Sequence, residues 1–351
     1  MNEPIFIARQ DTLEQEILPA QWLSQYKLFG EESYTFQNKE IWKKLCMSRA
    51  AANDRDMHAE ALEEMLTTFS AEHTGKWMLL VYGMDAAVLE GLATMAAVAG
   101  NGTAMAAVAD NALLMHAITN SQTAMRAITN SQTAMRAIAN SQTAMQRIAN
   151  STTAMDAIGG SKIARDAVQA SPYYDAKIKE NDMAIAKLVV GFANLESARY
   201  SGCAGMAADS TAMTAVAASS TAMTAVAASS TAMTAVAASA TAMGKIAAVD
   251  AALSKLAAST TAMDALYARK KQMKGGSASK SGKFIILEIS QSNAFNISKY
   301  GYATLSDGSK PDWSSYLAKY AFFRKYPKHA TYMLNDTDSD DYIYYFDIAS
   351  P

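Results

Sequence analysis

From about residue 84 the chain is written in ten-residue units, and that period decides what it can fold into. Successive blocks read SQTAMRAITN, SQTAMRAIAN, SQTAMQRIAN and STTAMDAIGG. Methionine recurs at Met95, Met105, Met115, Met125, Met135, Met145 and Met155, with valine or isoleucine three places later. The pattern lapses over 169–205 and restarts in a shifted phase as TAMTAVAASS, carrying Met213, Met223, Met233 and Met243. A fixed short repeat marks a solenoid or a fibrous array.

Alanine-rich TAMxAI segments favour helix, because alanine loses least on entering one. The methionine-to-isoleucine spacing of three and the poor strand propensity of alanine argue against a β-solenoid. Yet ten residues advance an ideal helix by about 1000°, some 80° short of three turns. A straight helix would let the apolar stripe slide round at every repeat. Either the helix overwinds and supercoils, or each unit loosens at its polar end (TNSQ, AASS), where Ser or Asn caps a new helix. Two large side chains per unit bury too little to offset the entropy of ordering ten residues. Sister chains are therefore expected to cover the stripe, with Met125, Ile128, Met135, Ile138, Met223, Val226, Met233 and Val236 in an inter-chain core. The expected fold is mainly α: an elongated oligomeric fibre with a small helical N-terminal domain and a small α+β tip.

The aromatic residues support that division. Ten of the 30 lie in 1–83 and fifteen in 275–351, leaving five between. Aromatics supply most of the burial in compact cores, so the ends read as small domains. The divisions are 1–83, a helical attachment domain with amphipathic TLEQEILPAQWLSQYKLF and DMHAEALEEMLTTFSA; 84–168, the first array; 169–205, a break or knee; 206–274, the second array; and 275–351, linker and tip. GGSASKSGK reads as the linker, KFIILEIS and YIYYFDI as strands, and WSSYLAKYAFFRKY as a helix.

Tandem decads of this spelling resemble repeats in tail-fibre and appendage proteins of tailed bacteriophages. The resemblance covers about 84–168 and 206–268. It implies a virion component made in the host cytoplasm, usually homotrimeric, joined to other tail or baseplate proteins and touching a host receptor or glycan through one end. A collar, neck or baseplate part without adhesion is the alternative. An ice-binding protein is disfavoured because a ten-residue period scatters threonines around a helix.

Candidate chemistry is sparse, and no enzyme and no cofactor is expected. The four histidines are scattered, and Cys46 and Cys203 have no metal-ligand spacing. Asp336, Asp338 and Asp340 alternate like the first ligands of a calcium loop, but Asp341 stands where glycine is needed and Asp347 where glutamate is. An acidic turn is the better reading. Tip aromatics Trp313, Tyr316 and Tyr345 are the receptor-contact candidates. A net charge of −2 gives no basic stripe for nucleic acid. No window of about 20 apolar residues suits membrane insertion, and the opening MNEPIFIARQDTLEQE lacks a secretory pattern.

Overall fold

The computed structural model describes residues 95–290, 301–313, 317–336 and 341–351. The expected N-terminal domain, Tyr316, Asp338 and Asp340 lie outside these residues. The described chain divides into two units, 1–177 and 178–351.

In the first unit each repeat is one short helix. These are α1 (Met95–Gly100), α2 (Gly102–Asp110), α3 (Ala112–Asn120), α4 (Gln122–Thr129), α5 (Gln132–Ala139), α6 (Gln142–Ala149), α7 (Thr152–Gly160), α8 (Lys162–Gln169) and the single turn α9 (Tyr174–Lys177). Each helix packs on the one three positions away: α1 on α4, α2 on α5, α3 on α6, α5 on α8. The chain thus winds as a three-sided coil that returns to the same side every three repeats. Breaking at the polar end, one of the two expected escapes, is the one adopted.

Serine makes the corner. Ser131 takes an extended conformation (φ −105, ψ 116), which no helix interior tolerates. Its Oγ accepts from Ala134 N at 3.2 Å, capping α5, and donates to Ala99 O at 2.5 Å in the turn beneath. The second bond repeats thirty-two residues apart: Ser141 to Ala109, Ser151 to Thr119, Ser161 to Thr129, Ser171 to Ala139. A helix end leaves N–H groups at one terminus and carbonyls at the other without partners. One hydroxyl satisfies one of each, on two different turns.

The interior follows from the corners. In α5, Ala134, Met135 and Ile138 are wholly buried and Ala139 is nearly so. Their spacing places them on one helix face. Met125, Ile128, Met135, Ile138, Met223, Val226, Met233 and Val236 all have zero exposure within the single chain. This corrects the inter-chain assignment. Counting only two large side chains against ordering entropy omitted the flanking alanines, the caps and the turns above and below. The structure has short helices at sharp corners in place of the supercoiled helix that was the other alternative.

The second unit repeats the design. It comprises α10 (Asp182–Phe192), a 3-10 turn at Ser197–Arg199, α11 (Cys203–Ala208), α12 (Ser210–Ala218), α13 (Ser220–Ala228), α14 (Ser230–Ala237), α15 (Ala240–Ala247), α16 (Asp250–Ala258) and α17 (Thr260–Ala268). The axes of α12 and α13 bend by 104° at Ser219. That is slightly less than the corner of a flat triangle, so each side climbs. Among the described residues no single helix is long and apolar enough to cross a membrane. The expected knee partly vanishes: α10 packs on α13 and serves as a side of this coil.

One corner is defective. Val249 stands where serine, asparagine or aspartate caps the other repeats, keeps the extended backbone (φ −127, ψ 105) and makes no side-chain cap. By the thirty-two-residue rule, serine there would reach Ala217 O. Val249→Ser is expected to stabilise the chain by about 1–3 kcal/mol, from a cap and one inter-turn bond. Calorimetry should show a melting temperature several degrees higher.

The chain ends in an antiparallel sheet of β1 (Lys271–Lys274), β2 (Ala278–Ser290), β3 (Gly301–Leu305), β4 (Asp312–Trp313), β5 (Ala330–Asn335) and β6 (Tyr342–Asp347), with α18 (Ala321–Lys325) beside it. The strand order is β1-β6-β2-β5-β3-β4. The first half of β2 pairs with β5 and the second half with β6. At the changeover Gly282 takes φ +151, and a Cβ there would lie 2.5 Å from the Phe284 ring. Only glycine fits. The expected linker is therefore a three-residue bend at 275–277, between two strands that do not pair with each other, followed by the start of β2. The expected helix over WSSYLAKYAFFRKY is limited to α18 among the described residues. Tyr320, left-handed at φ 71, sits at its N-cap position.

Candidate binding surface on the C-terminal domain

The sheet has one face against its own core. Phe284, Ile286, Ile289, Ala303, Leu305 and Met333 form it with Trp313, Phe322, Ile343 and Tyr345. Trp313 (2% exposed) lies edge-on to Phe322 at 5.7 Å and so close over Gly301 that a Cβ there would meet its indole nitrogen at 2.0 Å. Tyr345 (5% exposed) meets Phe284 edge-on at 5.3 Å. Of the three proposed receptor contacts, the two among the described residues, Trp313 and Tyr345, are core residues, which corrects that expectation for them. A small domain needs its largest rings inside.

The other face is divided. Over β6 and the second half of β2 it meets the end of the coil. Tyr267 of α17 lies edge-on to Tyr320 at 5.7 Å, near Tyr344, and donates to Glu288 Oε2 at 2.5 Å. Burial pushes the Tyr267 phenol upward, and the bond to the Glu288 carboxylate adds to this. Asp264 accepts from the Tyr320 hydroxyl and from Lys319, and these bonds hold its carboxyl below the ordinary range. Lys328 bridges Asp250 of α16 (2.8 Å) and Asp307 of the β3–β4 turn (3.2 Å). Hydrogen bonds from Ser309, then Lys328, lower Asp307 to about 2. Buried His329 is held below its ordinary value by desolvation, and next by Lys283. The domain closes the coil as a cap, as the last repeat of any solenoid requires.

Over β3, β5 and the first half of β2 the same face is open. Tyr302 and Tyr332 are half-buried, with ring centroids 5.7 Å apart. Tyr302 pairs across the strands with Leu334, and Thr304 with Tyr332. Ser279 and Ser281 flank them from β2, opposite Leu334 and Tyr332. The result is a patch of aromatic rings edged by hydroxyls, with no charged side chain among these six positions. Sequence reading missed Tyr302 and Tyr332; alternation in GYATL, buried and half-buried in turn, was the available signal for Tyr302, whereas ATYMLN does not alternate strictly.

The remaining candidates do not converge. Asp336 accepts from the Ser277 hydroxyl. Among the described residues no group of three His, Cys, Asp or Glu is placed to hold a metal ion. Burial pushes the Cys203 thiol up, away from the nucleophilic thiolate. Comparison with models of known protein families gives no match, and comparison with curated proteins gives none either.

Proposed function

We propose that the chain is a structural component of a tailed-phage particle, in which the coil carries the C-terminal sheet domain as an attachment module for a host-surface glycan. The observation that carries this reading is the open Tyr302–Tyr332 patch on a domain whose neighbouring surface is fixed to the coil. Half-buried tyrosine rings, already held in place, stack on the apolar faces of sugars at small entropic cost, and the surrounding hydroxyls exchange hydrogen bonds with sugar hydroxyls. Other tail or baseplate proteins are the partners that would hold the chain on the particle.

The test uses fluorescently labelled full-length protein on host cells. Tyr302→Ala with Tyr332→Ala is expected to reduce cell binding at least tenfold while the melting curve keeps its shape. Wild-type protein that sits in the particle by labelled electron microscopy yet binds no cells would leave the purely structural alternative, a collar or baseplate part.

A further inference from the structure

One side of the first coil carries a feature that the repeat itself explains. Because positions thirty residues apart share a side, α2, α5 and α8 lie in adjacent rows. The middle row is a full copy of the repeat and projects Arg136. In the rows on either side one longer residue each has been lost: Ala106 stands level with Arg136, and Ala170 level with Asn140. The space they leave forms two open grooves, of ≈ 320 Å³ between α2 and α5 and ≈ 420 Å³ between α5 and α8, with Arg136 and Asn140 bordering both.

The chemistry of the larger groove is specific. The Arg136 side chain is exposed and engages no other described side chain. Gln132 and Asn140 bring two amides, each a donor and an acceptor. Ile163 stands where the repeats carry threonine, and at 43% it is the one exposed large apolar side chain among the described residues. The lining carries one cation, Arg136, and one anion, Asp166; Lys162, 2.5 Å from Asp166 at the exposed rim, adds a second cation.

We propose that this groove binds a carboxylated saccharide, with the guanidinium of Arg136 taking the carboxylate, Gln132 and Asn140 taking ring hydroxyls, and Ile163 with the neighbouring alanines taking an apolar face of the sugar ring. The planar guanidinium fork matches a carboxylate through two parallel hydrogen bonds, a geometry a lysine lacks. An apolar floor beside a few placed polar groups is the usual make-up of a small-ligand site. The site is independent of the tyrosine patch, and either can fail alone.

The test titrates the full-length protein with tri-galacturonate and, separately, with neutral tri-galactose. Saturable binding of the acid, weakening with added salt, is expected, with the neutral sugar at least tenfold weaker. Arg136→Gln and Ile163→Thr should each reduce acid binding at least tenfold. Arg126→Gln, on another side of the coil, should leave it unchanged, and all three variants should melt like wild type. Equal binding of acid and neutral sugar would overturn the proposal. So would wild-type affinity in Arg136→Gln, an equal loss in Arg126→Gln, or no saturable binding at all.

Discussion

Met135→Asp is expected to unfold the first coil locally at ordinary temperature, with a loss of roughly 4–5 kcal/mol. Met135 has no exposure, and its neighbours are the apolar residues of its own chain. A carboxylate there has no partner and no water. Met135→Leu, which conserves volume, should cost less than about 1.5 kcal/mol, and Arg136→Asp on the outer surface about 0.5 kcal/mol or less. Because each turn of a solenoid touches only its neighbours, the damage should stay near α5. Urea denaturation followed by circular dichroism gives the three stabilities, and hydrogen exchange locates the damage. The ranking should be the same at high and low protein concentration, since the buried partners are intramolecular.

The second large effect concerns the corners. Ser141→Ala should cost about 2–3 kcal/mol, because a single hydroxyl accepts from Ala144 N and donates to Ala109 O. Ser141→Asn separates the two roles. Asparagine caps α2 and α10, where Asn101 and Asn181 accept from Ala104 N and Ala184 N. It should therefore recover about 1 kcal/mol, the cap alone. Ser220→Ala, at an exposed first helical position, should be close to neutral. Equal losses for Ser141→Ala and Ser220→Ala in chemical denaturation would mean that the hydroxyl does not join the turns.

Much of this was legible in the residues. Alanine propensity and the three-residue spacing marked helix, and the polar TNSQ and AASS ends marked where it loosens. The serine corner also left a trace. In SKIARDAVQA, Arg165 replaces the methionine and Val168 the isoleucine, yet Ser161 persists. A position kept while the apolar ones drift has a job of its own. What the sequence could not supply was the identity of the covering partner. Periodicity says that Met135 needs cover; only the corner angle says that the same chain provides it.

The ice-binding objection has to be restated for the same reason. Threonines drift on one straight helix, but in the coil Thr103 and Thr133 share a side, as do Thr123 and Thr153. In the C-terminal domain, composition misled where tertiary pairing prevailed. Ser279 and Ser281 in the apparent linker are the outward positions of β2. In YIYYFD, Ile343 and Tyr345 are buried, as one of the two alternations required, but Phe346 is buried as well because the sheet is covered on both faces there.

The most direct measurement is the distance between spin labels placed at positions 106 and 136. Cys46 and Cys203 would be replaced first, and labelled protein diluted into an excess of unlabelled protein so that only pairs within one chain are read. Neighbouring turns pack with axes about 8–10 Å apart, so the coil predicts a distance below roughly 20 Å including the label arms. A distribution centred near 45 Å, the rise of thirty residues along an unbroken helix, would contradict it.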